Sequence, residues 1–160
     1  MTPRLTSTAF AEGEAIPRRF TCEGDDLSPD LAWDGLPAGT RSLVLIVDDP
    51  DATDPAAPRM VWDHWLVYNI PSDAPGLAAG AAPSGLPAGA LQGQNSWGRA
   101  GYGGPCPPVG RHRYFHSIYA LDCLLPDLET PDKNRLLLAM EGHILAHCAL
   151  VGTYASQAWA

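Results

Sequence analysis

Hydrophobic positions in this chain gather into three compact runs, separated by long stretches of turn-forming residues. The first, RSLVLIVDD (41–49), is almost unbroken apolar until it ends in acids, the pattern of a fully buried strand. The second, WDHWLVYNIP (62–71), is strand-like and stops at a proline; alternation along it puts Trp62, His64 and Leu66 on one face. The third, HRYFHSIYALD (112–122), alternates with period two. It places His112, Tyr114 and His116 on one face and Arg113, Phe115 and Ser117 on the other.

The intervening segments are of a different kind. Residues 22–40 are dense in turn formers and read as a long loop broken by a short strand near Leu31 to Trp33. Three prolines exclude regular structure over 49–60, and the low-complexity stretch 72–93 reads as an extended surface loop. Helical spacing comes late: Thr130-Pro131 supplies a cap and first turn, and Leu136, Leu137, Met140 and Ile144 follow. Gly142 is expected to split this region into two short helices, and 148–156 to start helical and finish as a strand. Sheet signals precede helical ones without alternation. The expected fold is a mainly β single domain over residues 1–160 with helices at one end.

Composition narrows the function. A chain of 160 residues that is 46% hydrophobic and 18% charged is an ordinary globular sequence, large enough to bury a core. A formal charge of −8 argues against nucleic-acid partners and against adsorption to anionic lipid through a basic patch. Apolar runs such as Leu43 to Val47 are far too short to span a bilayer, and the first residues show no signal-peptide pattern. Cys22, Cys106, Cys123 and Cys148 are scattered with no Cys-x-x-Cys pair, so reduced thiols in a cytoplasmic protein are expected. Any anionic ligand must then be recognised locally, by a few aimed donors.

Such donors cluster near the second and third runs. The loop Gly103-Gly104-Pro105-Cys106-Pro107-Pro108 leads directly into His112-Arg113-Tyr114. Glycines let backbone amides approach a ligand, and prolines stiffen the loop so that less entropy is lost on binding. Those amides, the imidazoles of His64 and His112 and the Tyr114 phenol all suit phosphate oxygens, with Cys106 as a small apolar wall residue. Asp48, Asp49 and Asp51 crowd the end of the first run and repel one another unless cations or donors lie close by.

Asp49-Pro50-Asp51-Ala52, Trp62-Asp63-His64-Trp65, Gly104-Pro105-Cys106-Pro107-Pro108 and His112-Arg113-Tyr114 resemble, in order and spacing, the motifs of the phosphatidylethanolamine-binding protein family. The closer likeness is to its bacterial and archaeal Raf-kinase-inhibitor-like branch. Thr21-Cys22-Glu23-Gly24-Asp25-Asp26-Leu27-Ser28-Pro29 and the segment from Gly142 to Tyr154 also fit, so the likeness covers nearly the whole chain. The resemblance implies a two-sheet β-sandwich-like fold with a central antiparallel sheet and short C-terminal helices. It also implies a preformed surface pocket for phosphate, a related anion or a phospholipid head group. Asp49, Asp51, His64, His112 and Tyr114 fall on the family's pocket positions, and Gly104 and Pro107-Pro108 on its rigid wall. In this reading Asp49 orients an imidazole and Asp51 accepts from the ligand, while Arg113 faces away into a salt bridge or packing. Two departures stand out: Thr53-Asp54 interrupts the usual Asp-Pro-Asp-Ala-Pro, and the extra C-terminal helix of eukaryotic members is expected to be missing.

The resulting expectation is non-enzymatic binding, without metal or cofactor. The family adds two further possibilities, regulation of a partner kinase or protease and homodimer formation. The rival is a metal- or cysteine-dependent hydrolase built from the same His, Asp and Cys residues. Against it, His143 and His147 have helical metal-pair spacing but lack the zincin glutamate, and read as partly buried helical histidines. Cys106 likewise has no third catalytic member and no helix N-terminus beside it. Trp97 and Trp159 are the tryptophans suited to an interface.

Overall fold

The computed structural model describes residues 2–82 and 84–156; Trp159 lies outside them. Eight strands and one α-helix follow in the order β1 (Arg4–Thr6), β2 (Leu31–Asp34), β3 (Ser42–Ala52), β4 (Met60–Pro71), β5 (Gly76–Leu77), β6 (Leu91–Gln92), β7 (Arg111–Leu121), α1 (Lys133–Met140) and β8 (Ile144–Ala155). They form two antiparallel sheets, a small one ordered β1-β2-β5 and a large one ordered β6-β4-β3-β7-β8. The expected mainly β, two-sheet architecture is what the chain adopts.

Strand β3 sits at the middle of the large sheet and is covered on both faces, which is why its sequence is continuously apolar. Leu43, Leu45 and Val47 point toward the small sheet and pack with Leu31, Trp33, Trp65, Val67, Tyr114 and Ile118. Val44 and Ile46 point the other way, against Leu66, Tyr68, Leu136 and Met140, so that α1 closes the second core.

Three expectations need correction. The late helical pattern yields one helix, capped by the Asp132 side chain, which accepts from the Arg135 amide at 2.9 Å. Gly142, at φ +81°, then turns the chain into β8, which pairs with β7 from Leu121↔Ile144 to Arg111↔Ala155. A full ladder of strand pairing outweighs the weak helical spacing that led into Ile144. His143 and His147 are therefore not helical; His147 lies opposite Tyr119 on the β7–β8 ladder, with the two rings stacked.

The stretch 72–93 is more than a surface loop. Its β5 joins the small sheet, its β6 joins the large one, and Leu77 and Ala81 are buried between them. Finally, β3 continues through Pro50 to Ala52, leaving only residues 53–59 irregular before β4. A central strand cannot carry an undonating proline inside a two-sided ladder, but here the paired register has already shifted between Asp49 and Ala52.

Candidate functional site

Antiparallel pairing brings the end of β3, the start of β4 and the start of β7 together at one end of the large sheet. One irregularity then decides which side chains meet there. Val47 pairs with Trp65 and Asp48 with Asp63, so His64 is an extra residue bulged out of β4. The bulge resets the alternation. Trp62 and His64 turn toward the same side as Trp65 and Tyr114, while Leu66 belongs to the core under α1. The expected grouping of Leu66 with Trp62 and His64 is broken at this point.

The three neighbouring acids at the end of β3 each acquire a separate basic partner. Asp48 meets the Lys133 ammonium at 3.2 Å, on the α1 side, where Asp63 also meets it at 2.6 Å. Asp49 Oδ2 lies 2.6 Å from His112 Nδ1. Asp51 accepts from the Arg113 amide at 2.9 Å, from Nε at 3.0 Å and, through its other oxygen, from a terminal guanidinium nitrogen at 2.9 Å. This guanidinium clamp holds the Asp51 carboxyl below the usual carboxylate range.

Of these pairs, Asp49–His112 lines a cavity of about 210 Å³. Asp49, His64, His112 and Tyr114 form its polar lining, with Ala52, Thr53, Trp62, Trp97, Cys106, Pro107 and Pro108 around them. His112 is 1% exposed, with Nδ1 against Asp49 and Nε2 against the Val109 carbonyl, 2.8 Å away. Both ring nitrogens are thus taken up inside the protein, the Nδ1 contact being a buried pair with the Asp49 carboxyl. Burial pushes the Asp49 carboxyl up, and the hydrogen bonds from His112 and from the Asp51 amide, 2.7 Å from Oδ1, pull it back.

His64 differs. Nδ1 donates to the Gly103 carbonyl at 2.7 Å, and burial lowers the ring pKa to about 4. It is neutral at pH 7, with Nε2 a lone-pair acceptor. Tyr114 stands edge-on to His64, with ring centroids 5.2 Å apart. Its hydroxyl is buried and has no hydrogen-bond partner among the described residues. Burial and the neighbouring Asp49 carboxylate push the phenol well up, so it stays an O–H donor. A sealed donor without an acceptor costs about 1–3 kcal/mol.

The loop wall is anchored from behind. Tyr102 donates to the Phe20 carbonyl at 2.7 Å, the Gly104 amide to Asp26 at 2.8 Å, and the Cys22 amide to the Pro105 carbonyl at 3.1 Å. A Cβ on Gly104 would collide with the Phe20 carbonyl and with Asp26, which is why glycine occupies that position. Cys22 and Cys106 are joined in a disulfide across 84 residues of sequence.

The family model for phosphatidylethanolamine-binding protein matches residues 6–155. The chain belongs to that family. Among its relatives, a "UPF0098 protein" of Methanothermobacter thermautotrophicus is 49% identical over 152 residues, covering 94% of this chain and 97% of the relative. One from Chlamydia muridarum is 45% identical over 151 residues, with 94% and 97% covered. The crystal structure of a phosphatidylethanolamine-binding protein homologue from Chlamydia trachomatis superposes with a TM-score of 0.87 at 43% identity, covering 98% of this chain and 99% of that one. E. coli YbcL, described as a member of the mammalian family, gives 0.88 at 30% identity over 98% of this chain and 100% of its own.

Of the site residues expected from sequence, Asp49, His64, Cys106, Pro107, His112 and Tyr114 come together around the cavity. Asp51 and Gly104, assigned to the pocket from sequence, do not line it. The Asp51 oxygens are taken up by Arg113, so the residue braces the pocket from outside, and Arg113 makes the expected salt bridge while lying over the Phe115 ring. The Gly103 and Gly104 amides are also engaged, with the His64 carbonyl and Asp26, and do not serve as free ligand donors.

Cys106 lines the wall as a half-cystine, which corrects the expectation of reduced thiols for this pair. Cys123 and Cys148 are free. The cytoplasmic expectation loses the support it drew from reduced thiols; what stands is that no helix among the described residues is long and apolar enough to cross a membrane. Thr53 of the interrupted motif lines the cavity, while Asp54 turns back to cap the Ala56 amide. Trp97, which the sequence left open to an interface role, lines the cavity edge-on to both Trp62 and His64. Trp62 was visible in the alternation with His64; Trp97 sits in a loop, where no periodicity marks it.

Proposed function

We propose that this protein binds, without chemical turnover, a small oxygen-rich anion: phosphate, a related oxyanion, or the phosphate of a phospholipid head group. The observation that carries the reading is the buried Tyr114 hydroxyl, unpartnered beside the His112–Asp49 pair in a cavity of ligand size. A bound oxygen would satisfy that donor. His64 Nε2 accepts only, so it favours a ligand that also carries a proton, such as a monoprotonated phosphate or an ammonium group. Family membership supports a binding role of this kind.

Support for a non-enzymatic role comes from how the reactive groups are engaged. Cys106 is in a disulfide, both His112 nitrogens have partners, and a His64 of pKa about 4 is a weak base at neutral pH. The exposed rim at Trp97 leaves room for the anion to be carried by a side chain of a partner protein, which is how a kinase or protease would be engaged.

Calorimetric titration with inorganic phosphate and with phosphoethanolamine, on wild type and Tyr114→Phe, tests the reading. Losing one neutral donor should weaken binding by about three- to tenfold. Undiminished affinity in Tyr114→Phe, or no binding by either compound at millimolar concentration, would overturn it.

A further inference from the structure

A second cluster of ligating side chains lies at the other end of the β7–β8 pair from the pocket. Asp122 directly follows β7, Cys123 comes next, and His143 directly precedes β8. Each offers a donor atom, and the three atoms lie within 4.8 Å of one another. Asp122 and His143 are exposed and Cys123 is half-buried, so solvent ions reach all three.

The backbone holds the three residues in place. The Asp122 amide donates to the His143 carbonyl at 3.0 Å, and the His143 amide to the Met140 carbonyl at 3.0 Å. Ser42 Oγ donates to the Cys123 carbonyl at 2.6 Å, and the Arg41 amide to the Leu121 carbonyl at 2.8 Å. The side chains already converge: His143 Nδ1 is 2.8 Å from Asp122 Oδ1. Little ordering entropy remains to oppose capture of an ion.

We propose that Asp122, Cys123 and His143 form a zinc site, with solvent completing the tetrahedron. One sulfur, one imidazole nitrogen and one carboxylate oxygen are the donor types zinc takes, whereas magnesium and calcium prefer oxygen alone. A carboxylate, a thiolate and a neutral imidazole together balance the ion's two charges, within a chain whose formal charge is −8. Binding replaces the thiol S–H by an S–Zn bond and releases that proton to the buffer. The site is not the His143/His147 pair considered from sequence, because His147 faces Tyr119 across the ladder. The ion would instead pin together the two ends of the α1 excursion, residues 123–142, as a structural staple independent of the pocket.

Cobalt and zinc titrations of the oxidised protein, followed by absorbance and by calorimetry, test the site. One equivalent of Co²⁺ should give a thiolate-to-cobalt charge-transfer band that Zn²⁺ removes. Cys123→Ser should abolish the band, and His143→Gln and Asp122→Asn should each weaken Zn²⁺ binding by about tenfold or more. Cys148→Ser should leave both unchanged. Absence of the band in wild type, or Zn²⁺ affinity unaltered in Cys123→Ser, overturns the assignment. Asp122 and His143 are exposed and Cys123 is half-buried, and circular dichroism verifies that the variants fold.

Discussion

His112 Nδ1 and Asp49 Oδ2 lie 2.6 Å apart, and both side chains are almost sealed from solvent. Removing one member strands the charge of the other, which typically costs about 3–5 kcal/mol. His112→Ala is therefore expected to destabilise the fold strongly. In the double variant Asp49→Asn/His112→Ala the stranded charge is gone, so part of that loss should return. Urea denaturation of the two single variants and the double closes the cycle; additive losses would show that the pair does not couple.

Tyr114 should behave in the opposite sense. Its hydroxyl is buried without a partner, so Tyr114→Phe removes a desolvated donor and should leave stability unchanged or raise it by about 1 kcal/mol. With the affinity loss expected for phosphate, the same substitution would gain stability and lose function. Thermal unfolding with and without phosphate measures both, and a marked fall in the melting temperature of the free variant would contradict the geometry.

Acid should unfold the protein earlier than its carboxylates alone require. His64 and His116 are buried, and desolvation lowers each to about 4 from an ordinary 6.5. Between those values the unfolded chain binds more protons, so stability is full above pH 6.5 and declines as pH falls toward 4. Each histidine accounts for roughly 3 kcal/mol over that window. Asp48 and Asp49, whose carboxyls are raised by burial, act in the reverse direction at the acid end. His116, packed against Phe10 and held to the Tyr114 carbonyl, lies outside the cavity lining; His116→Phe should flatten the stability profile between pH 6.5 and 4. An identical slope in that variant would show that His116 does not titrate as described.

The Cys22–Cys106 bridge closes a loop of 84 residues. Constraint of the unfolded chain by a loop of that length is worth about 4 kcal/mol. Denaturation midpoints measured with and without reductant should differ accordingly. Alkylation of the unreduced, unfolded protein should label Cys123 and Cys148 alone; four labels would show that the bridge is not formed.

Much of this arrangement was legible in the residues. The unbroken apolar run of β3 signals a strand buried on both faces, and the alternation of β7 correctly groups His112 with Tyr114 and sets Arg113 apart. Less legible were features that depend on partners remote in sequence. Nothing local separates Asp51 from Asp49; their different roles follow from which basic residue the sheet register sets opposite each. The disulfide escapes for the same reason, since Cys22 and Cys106 meet only because the anchored loop lies against the 3-10 turn at Arg18–Phe20. Residues 148–156 read as starting helical because the strand that pairs with them, β7, lies before α1.

The bulge at His64 has a consequence for how the hollow arises at all. Paired regularly, the same residues would turn Trp62 and His64 toward Lys133 and α1, and the anion's proposed seat would lose its floor while every side chain kept its identity. The hollow thus depends on the parity of a residue count in one strand. A single insertion or deletion between Trp62 and Trp65 would be felt there far more than most replacements of the lining itself.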